Sequence, residues 1–534
     1  MNFDINPFIL SILIFCPLAG ALLIMLLPRR VAREGALAVA IINFVFSLHL
    51  WCNWTASTPA NGYHFAQRLP WLPQMGLSYH VGVDGISAGL VILTAFITPI
   101  ALLFGWNEIS NFITGRVKSF VVCILLLQSF AIGVFCALDI ILFYVFFEAV
   151  LIPAYILIAG WGGALRAPAA IKLFCYTMAG SVFLWIAALY VYFQIPAEAR
   201  SFELSLMITA ANAVDASTQN IALWLFAAFA VAFAIKTPLF PFHTWQPEAY
   251  REAPTSATIL LAAILSKMGI YGFIRFAIPM FPKAATIAAP IMIGLALTSV
   301  VYGAMVALRQ TDIKRLFAYS SLSHLGVVIL GVFAALLAPE QSVIALSGAM
   351  MQMIAHGITT AALFGIAGML WQRRGTLQLR HFGGLAAVMP RFTCLFWIAL
   401  FASIGLPGLC NFVGEYLILQ TTMAVNFWYA LIAATSVILG AVYMLRMFRD
   451  VIFGEVIFEE NRSLPDAGKR ETLALALLIA VAVWIGVAPQ PLLEKINPGV
   501  QKISESASTH ESNLTAFMLQ SPSLQGGGFA KDVK

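Results

Sequence analysis

Six ionisable side chains interrupt otherwise apolar stretches of the chain. They are Glu148 in FYVFFEAVLIPAYILI, Lys236 in AIKTPLFPFHTW, Lys267 in LLAAILSKMGIYGF, His324 in AYSSLSHLGVVIL, His356 in MMQMIAHGITTAALF and Glu415 in GLPGLCNFVGEYLIL. A charged residue at the centre of a membrane helix costs about 2.5–3.5 kcal/mol on insertion scales, so groups of this kind face a bundle interior or a wet cavity and take up or release ions there. Each histidine alone also fits a neutral, hydrogen-bonded packing role. Glu148 and Lys236 alone also fit a structural ion pair. Lys267 has no acid beside it in sequence and is harder to explain as a structural residue. Taken together, the six point to a path for protons or cations.

The elements that must position them follow from composition. Of 534 residues, 61% are hydrophobic and 10% charged, and the mean hydropathy is +0.90. Soluble domains do not have this make-up. Apolar runs long enough to cross a bilayer recur from end to end, which reads as one all-α polytopic membrane domain. Hydropathy predicts about fourteen spans, at roughly 8–27, 36–56, 84–106, 119–138, 140–160, 173–195, 220–241, 256–279, 287–308, 315–337, 342–370, 391–425 (interrupted), 427–447 and 472–492.

The charges test that count. Loops one, three, five, seven, nine, eleven and thirteen hold most of the basic residues, among them Arg29, Arg30, Arg116, Arg166, Arg251, Lys314, Arg373, Arg374, Arg449 and Arg470. The opposite side has Arg68, Arg200, Lys283 and the lysines of the tail. This bias makes the odd loops cytoplasmic and both termini outward-facing. The first apolar run has no basic residues ahead of it, so it reads as a span and not as a cleaved signal. The net charge of +6 is mostly this topological signal and not a nucleic-acid footprint. Arg275, Glu108 and Asp139 fall near span ends, where snorkelling to the interface accounts for them.

Prolines and glycines then break two spans. Pro238 and Pro241 remove donors and clash with the preceding turn, so the seventh span should break just beyond Lys236. Gly405, Pro407 and Gly408 do the same in the twelfth, ahead of Glu415. At membrane depth, broken backbone is tolerated where it is buried in protein or lines water. Two interrupted helices an odd number of spans apart mark an inverted repeat. Spans four to eight (about 119–279) then answer spans nine to thirteen (about 287–447), within one domain of about 1–492 and ahead of a polar tail, 493–534. We expect that tail to be flexible and without an amphipathic helix. We expect FHTWQPEAYREAP to be a capped surface loop anchored by His243 and Glu248.

No GxGxxG after a strand, P-loop, HExxH or GxSxG occurs in the chain. The seven cysteines are scattered and fit small core residues better than metal ligands. We therefore expect no metal, flavin, nicotinamide, iron–sulfur or nucleotide site, and expect energy to arrive from elsewhere.

The segments Lys236–Phe276, Phe146–Ile158, Asp312–Gly326 and Gly405–Leu419 resemble those of the antiporter-like membrane subunits of respiratory complex I, the proton-pumping NADH:quinone oxidoreductase. The likeness runs over roughly residues 80 to 450. It implies that Glu148 and Lys236 match a paired glutamate and lysine, Lys267 a central lysine, His324 and His356 bridging histidines, and Glu415 a terminal site on the second broken helix. Glutamate at 415 separates the chain from the sister subunits of the L and N types, which usually carry lysine there and are expected as its neighbours. The resemblance further implies a bacterial inner membrane, no redox site in this chain, and FMN, iron–sulfur clusters and quinone in partner subunits.

A unit-charge contact at 4 Å in an effective dielectric of 20 is worth about 4 kcal/mol. Lifting a proton against about 180 mV costs a similar amount. Making and breaking one Glu148–Lys236 contact thus has the size needed to drive one transfer. Protons are expected to enter from the cytoplasm toward Lys267, pass His324, His356 and water, and leave near Glu415. Ser320, Ser321, Ser323 and Tyr319 either hold that water or pack helices together. Two other readings share the motifs: a subunit of a multisubunit Na+/H+ antiporter or membrane-bound hydrogenase, and a structural spacer of the membrane arm.

Overall fold

The structure, a computed structural model, describes residues 6–54, 62–111 and 116–520. Because the apolar segments are hydrophobic all round and their backbone groups must be satisfied within the segment, they form helices. Among the described residues, thirteen helices are long and apolar enough to span a membrane. They coincide with the expected spans except for the twelfth, which is two shorter helices, Pro390–Ser403 and Cys410–Val425. The chain is a multi-pass membrane protein.

The bundle has a clear interior. Span 8 (Thr255–Met280) and span 11 (Pro339–Arg374) are enclosed along their apolar lengths, and these two helices carry Lys267 and His356. Outer helices keep apolar faces toward the surroundings, with Ile186, Trp224, Ile291 and Ile438 exposed. Such a surface is stable only against lipid or another subunit. Between spans 2 and 3 lies an antiparallel hairpin, His64–Leu72 paired with Leu77–Val83, with Gly76 at φ +68° in its turn.

Several expectations are corrected. The tail is not free of a helix: Gln490–Gln520 is helical. Its Leu492, Ile496, Val500 and Ile503 are buried, a one-sided apolar stripe. Gly499 rests on the start of span 3, where a Cβ would lie 3.1 Å from Gly85 N, and Asn497 accepts from Ser347 Oγ at 2.8 Å. The residues after 520 lie outside the described residues. The segment after the seventh span is a short buried helix, Trp245–Glu252, with no side-chain N-cap, and not a surface loop. Its two anchors do hold it: His243 stacks on Phe240, and Glu248 pairs with Lys172 at 2.8 Å.

Snorkelling does not describe the span-end charges. Arg275 is buried and donates to Asp84 at 2.5 Å. Asp84 also accepts from the first amides of span 3. Asp139 is fully buried as the N-cap of span 5, and Glu108 accepts from Thr255 N at 3.0 Å. Each of these groups finds its polar partners within the protein, so none needs to reach water. Of the cysteines, Cys123, Cys136 and Cys410 are buried, while Cys52, Cys175 and Cys394 are exposed on the helix surfaces.

Candidate functional site

Lys236 is the last residue of the helix Gln219–Lys236. With Pro238 and Pro241 following, the carbonyls of that last turn lose their usual partners. The structure satisfies them one by one. Phe233 O takes Thr237 N, Ala234 O takes Leu239 N, and Ile235 O takes the indole N–H of Trp245 at 2.9 Å. The Lys236 ammonium donates to Phe147 O at 2.9 Å and lies 4.2 Å from the centre of the Phe147 ring. Span 5 bends at that place, between Ala149 and Leu151, because Pro153 clashes with the carbonyl four residues before it.

The expected Glu148–Lys236 pair is therefore not a direct contact. The two groups act on each other electrostatically, and Glu148 has Ser181 as its polar neighbour. A cation on an aromatic face and one carbonyl is held, though less tightly than by a carboxylate.

Lys267 sits in Ser266–Gly272, flanked by two π-helical turns, Leu261–Leu265 and Phe273–Ala277. Such turns widen the helix and mark functional positions. The Lys267 ammonium contacts Ala262 O at 2.7 Å, Ser266 Oγ at 3.3 Å and His356 Nδ1 at 2.7 Å. Gly269 brings span 7 against this turn: a Cβ there would collide with Thr237 Oγ1 and Phe233 O. The break of span 7 and the central lysine are thus neighbours.

His324 Nδ1 meets Glu415 Oε1 at 2.9 Å, and Gln352 Nε2 donates to the same oxygen at 2.9 Å. The His324 and His356 ring centroids are 6.0 Å apart. When Lys267 donates to Nδ1 of His356, the imidazole keeps its proton on Nε2, and Nε2 is buried without a partner. The second break repeats the logic of the first. Ser403 O, at the end of its first half, receives Asn411 Nδ2 at 3.1 Å. Gly405 (φ +77°) and Gly408 (φ +89°) turn the chain, and a Cβ on Gly405 would lie 2.9 Å from Glu415 Oε2. Glu415 therefore folds back onto the break. Pro407 lies between the two glycines and keeps the helix from continuing.

The structure thus joins four of the six residues into two contacts, Lys267–His356 and His324–Glu415, and sets Glu148 and Lys236 at one end without a direct bond. Of the span 10 hydroxyls, Ser323 donates to Val300 O, Ser320 meets Tyr443 OH and Ser321 accepts from Gln246, so these pack helices together. Reading the sequence missed Trp245, Asn411 and Gln352. The first two had a signal: each break orphans carbonyls, and a side-chain donor soon after it is the natural partner.

Two interrupted helices flanking buried titratable pairs define the chain as a polytopic helical membrane protein with ionisable groups in its interior. A family model for "NADH:quinone oxidoreductase/Mrp antiporter, TM" matches residues 137–440, and one for "NADH-ubiquinone oxidoreductase chain 4, amino terminus" matches residues 10–133. NADH-quinone oxidoreductase subunit M of Rickettsia prowazekii is 39% identical, over 93% of this chain and 98% of that protein. A chain of respiratory complex I from Thermus thermophilus superposes with TM-score 0.82 at 31% identity, over 93% of this chain and 99% of that one. A chain of an Mrp complex from Dietzia, at TM-score 0.81 and 18% identity, shares the fold, over 96% of this chain and 100% of that one. The chain belongs to the subunit M family of NADH-quinone oxidoreductase, in keeping with glutamate at position 415.

Proposed function

We propose that this chain is a membrane-arm subunit of a proton-pumping NADH:quinone oxidoreductase and moves protons along Glu148, Lys236, Lys267, His356, His324 and Glu415. The observation that carries this reading is the buried sequence of contacts between the two broken helices, Lys267 to His356 at 2.7 Å and His324 to Glu415 at 2.9 Å. Each contact joins groups that can exchange a proton, and the 6.0 Å between the histidine rings suits one bridging water. Electron transfer belongs to partner subunits that hold FMN, iron–sulfur clusters and quinone. Subunits of the L and N types are the neighbours this reading expects.

The arginine-rich side faces the cytoplasm, and both termini face outward, in a bacterial inner membrane. The matching breaks after Lys236 and before Glu415 support the two inverted repeats, about 119–279 and 287–447. Lys236 is the switch on this account. Because Glu148 is close without bonding to it, a small shift of span 5 or of the Lys236 side chain makes or removes an ion-pair contact worth about 4 kcal/mol at 4 Å.

The test is NADH-driven proton pumping in membrane vesicles carrying Lys236→Ala, with electron transfer and assembly measured in parallel. Loss of pumping in an assembled complex is the expected result. Normal stoichiometry in that variant makes the broken helix architecture, and the chain a spacer.

A further inference from the structure

On the arginine-rich face, a cavity of about 1200 Å³ collects residues from six successive odd-numbered loops, including Glu108, Gly162, Glu252, Asp312, Gln372 and Asp466. Beneath it lies Lys314, which is buried although it stands only one residue inside span 10. Its ammonium donates to Ala253 O at 2.7 Å and reaches Arg251 O at 3.5 Å. Three carboxylates act on it, Glu108 from loop three, Asp312 from loop nine and Glu252 from loop seven, none within ion-pair distance, and the Arg251 guanidinium lies against two of them, 3.9 Å from Glu252 and 3.8 Å from Asp312. Burial raises the Glu108 carboxyl above its ordinary range, against the pull of Lys314.

Below this lysine, polar groups continue along one side of span 8. Ala253 O also receives Thr258 Oγ1 at 3.0 Å, which sets that hydroxyl beside the ammonium. The Tyr250 hydroxyl donates to Leu261 O at 3.2 Å and has Gln246 and Ser266 as its polar neighbours. Ser266 Oγ touches the Lys267 ammonium at 3.3 Å. From Thr255 to Lys267 is about 18 Å at the rise of a helix. The buried hydroxyls are set along that length.

We propose that Lys314 is the loading site of the path: it takes up protons from the cavity and passes them by way of Thr258, Tyr250 and Ser266 to Lys267. In one cycle the neutral Lys314 amine gains a proton from cavity water and then releases one inward. Each hydroxyl, with water between them, accepts one proton and gives up another. The net result is one proton moved from cavity water to Lys267, with Lys314 and each hydroxyl returned to their starting state. Glu108, Asp312 and Glu252 favour the charged form of Lys314 and so offset part of the cost of charging a buried amine. This assignment rests on the proton-path reading above.

Arginine distinguishes a relay from an anchor at this position. Lys314→Arg keeps the charge and a donor for Ala253 O but cannot release a proton at working pH, whereas Lys314→Met removes both. The experiment is NADH-driven acidification of vesicles with the cytoplasmic face outward, in the intact complex, with Lys267→Ala in parallel. Lys314→Arg should lose as much pumping per NADH as Lys267→Ala. Wild-type pumping by Lys314→Arg overturns the relay and leaves Lys314 an anchor of the segment ahead of span 8. Normal pumping by Lys267→Ala overturns the underlying path instead.

If Lys314→Arg does not assemble, Glu108→Gln decides. Its amide oxygen still accepts from Thr255 N–H, while the negative charge is gone. The pH of half-maximal pumping should then shift downward, because filling the site needs more protons; an unshifted profile overturns the proposal.

Discussion

Replacing His356 with phenylalanine removes the contact on which the centre of the path depends. A slightly larger aromatic ring takes the place of the imidazole, while the 2.7 Å bond from the Lys267 ammonium to Nδ1 is lost. Lys267 then keeps Ala262 O and Ser266 Oγ, too few for an ammonium with three donors. A hydrogen bond to a charged group contributes about 1.5–3 kcal/mol, so the charged form of Lys267 should become roughly 10- to 100-fold less populated at a given pH, at 1.4 kcal/mol per factor of ten.

The assay is proton uptake per NADH by vesicles between about pH 5.5 and 8.5, with assembly checked by native gel. Pumping by His356→Phe should fall at neutral pH and recover in part about one to two pH units lower, where a 10- to 100-fold higher proton concentration restores the lost occupancy. His356→Gln, whose amide oxygen accepts from Lys267, should lie between the two. An assembled His356→Phe complex that pumps normally at neutral pH refutes the reasoning, since no other residue on span 11 bonds to Lys267.

The second break should respond differently at its two glycines. Gly405→Ala combines a left-handed backbone (φ +77°) with a methyl 2.9 Å from Glu415 Oε2, so it should displace the carboxylate and reduce pumping. Gly408→Ala (φ +89°) meets open space and should cost only about 1–2 kcal/mol of backbone strain, read as thermal stability of the purified complex with pumping retained. Trp245→Phe strands the buried Ile235 carbonyl at a cost of about 1–3 kcal/mol; thermal unfolding of the detergent-solubilised complex should come earlier by a matching amount. Arg275→Ala leaves Asp84 buried without its partner and should destabilise by about 3–5 kcal/mol, while Arg275→Met with Asp84→Leu recovers much of the loss. Burial raises the Asp84 carboxyl, and the charge and hydrogen bond of Arg275 together with two backbone amides outweigh that and hold it below its ordinary value of 3.8. Its stabilisation is therefore present above that ordinary value and is lost as pH falls through the depressed one. Acid unfolding of the double variant should lack this component.

Much of the molecule is legible in its sequence for a simple reason. In a bilayer, length and hydropathy locate helices without help from periodicity, and a buried charge is too costly to be incidental. That reasoning finds Lys267, His324, His356 and Glu415, and the breaks beside Pro238 and Gly405. It does not show which groups meet. His356 lies 89 positions from Lys267, and Glu415 lies 91 from His324, so pairing is a matter of packing. The Glu148–Lys236 contact was expected from residue types and the family resemblance, yet Phe147 supplies the carbonyl and the ring that hold the lysine. The C-terminal helix was readable: Leu492, Ile496, Val500 and Ile503 recur at helical spacing, and the surrounding serines and Pro498 obscured them. Arg275 and Asp84 were not, because nothing in either segment names the other.

The two breaks share a division of labour that explains why charges can sit beside them and still exchange protons. A helix ended inside a membrane needs donors for its last carbonyls, and Lys236 brings a strong donor to the first break. Had its ammonium been spent on those carbonyls, losing a proton would strand them and open the helix further. Instead, neutral side chains do that work: the Trp245 indole takes Ile235 O and the Asn411 amide takes Ser403 O. The charged groups are then bound elsewhere and lightly, Lys236 to one carbonyl and a ring face, Glu415 through one oxygen to His324 and Gln352. Structure and titration are thereby separated. Trp245→Phe should lower stability and leave pumping per assembled complex unchanged, whereas Lys236→Ala should do the reverse, and a variant that loses both together at either site would show that the separation is not real.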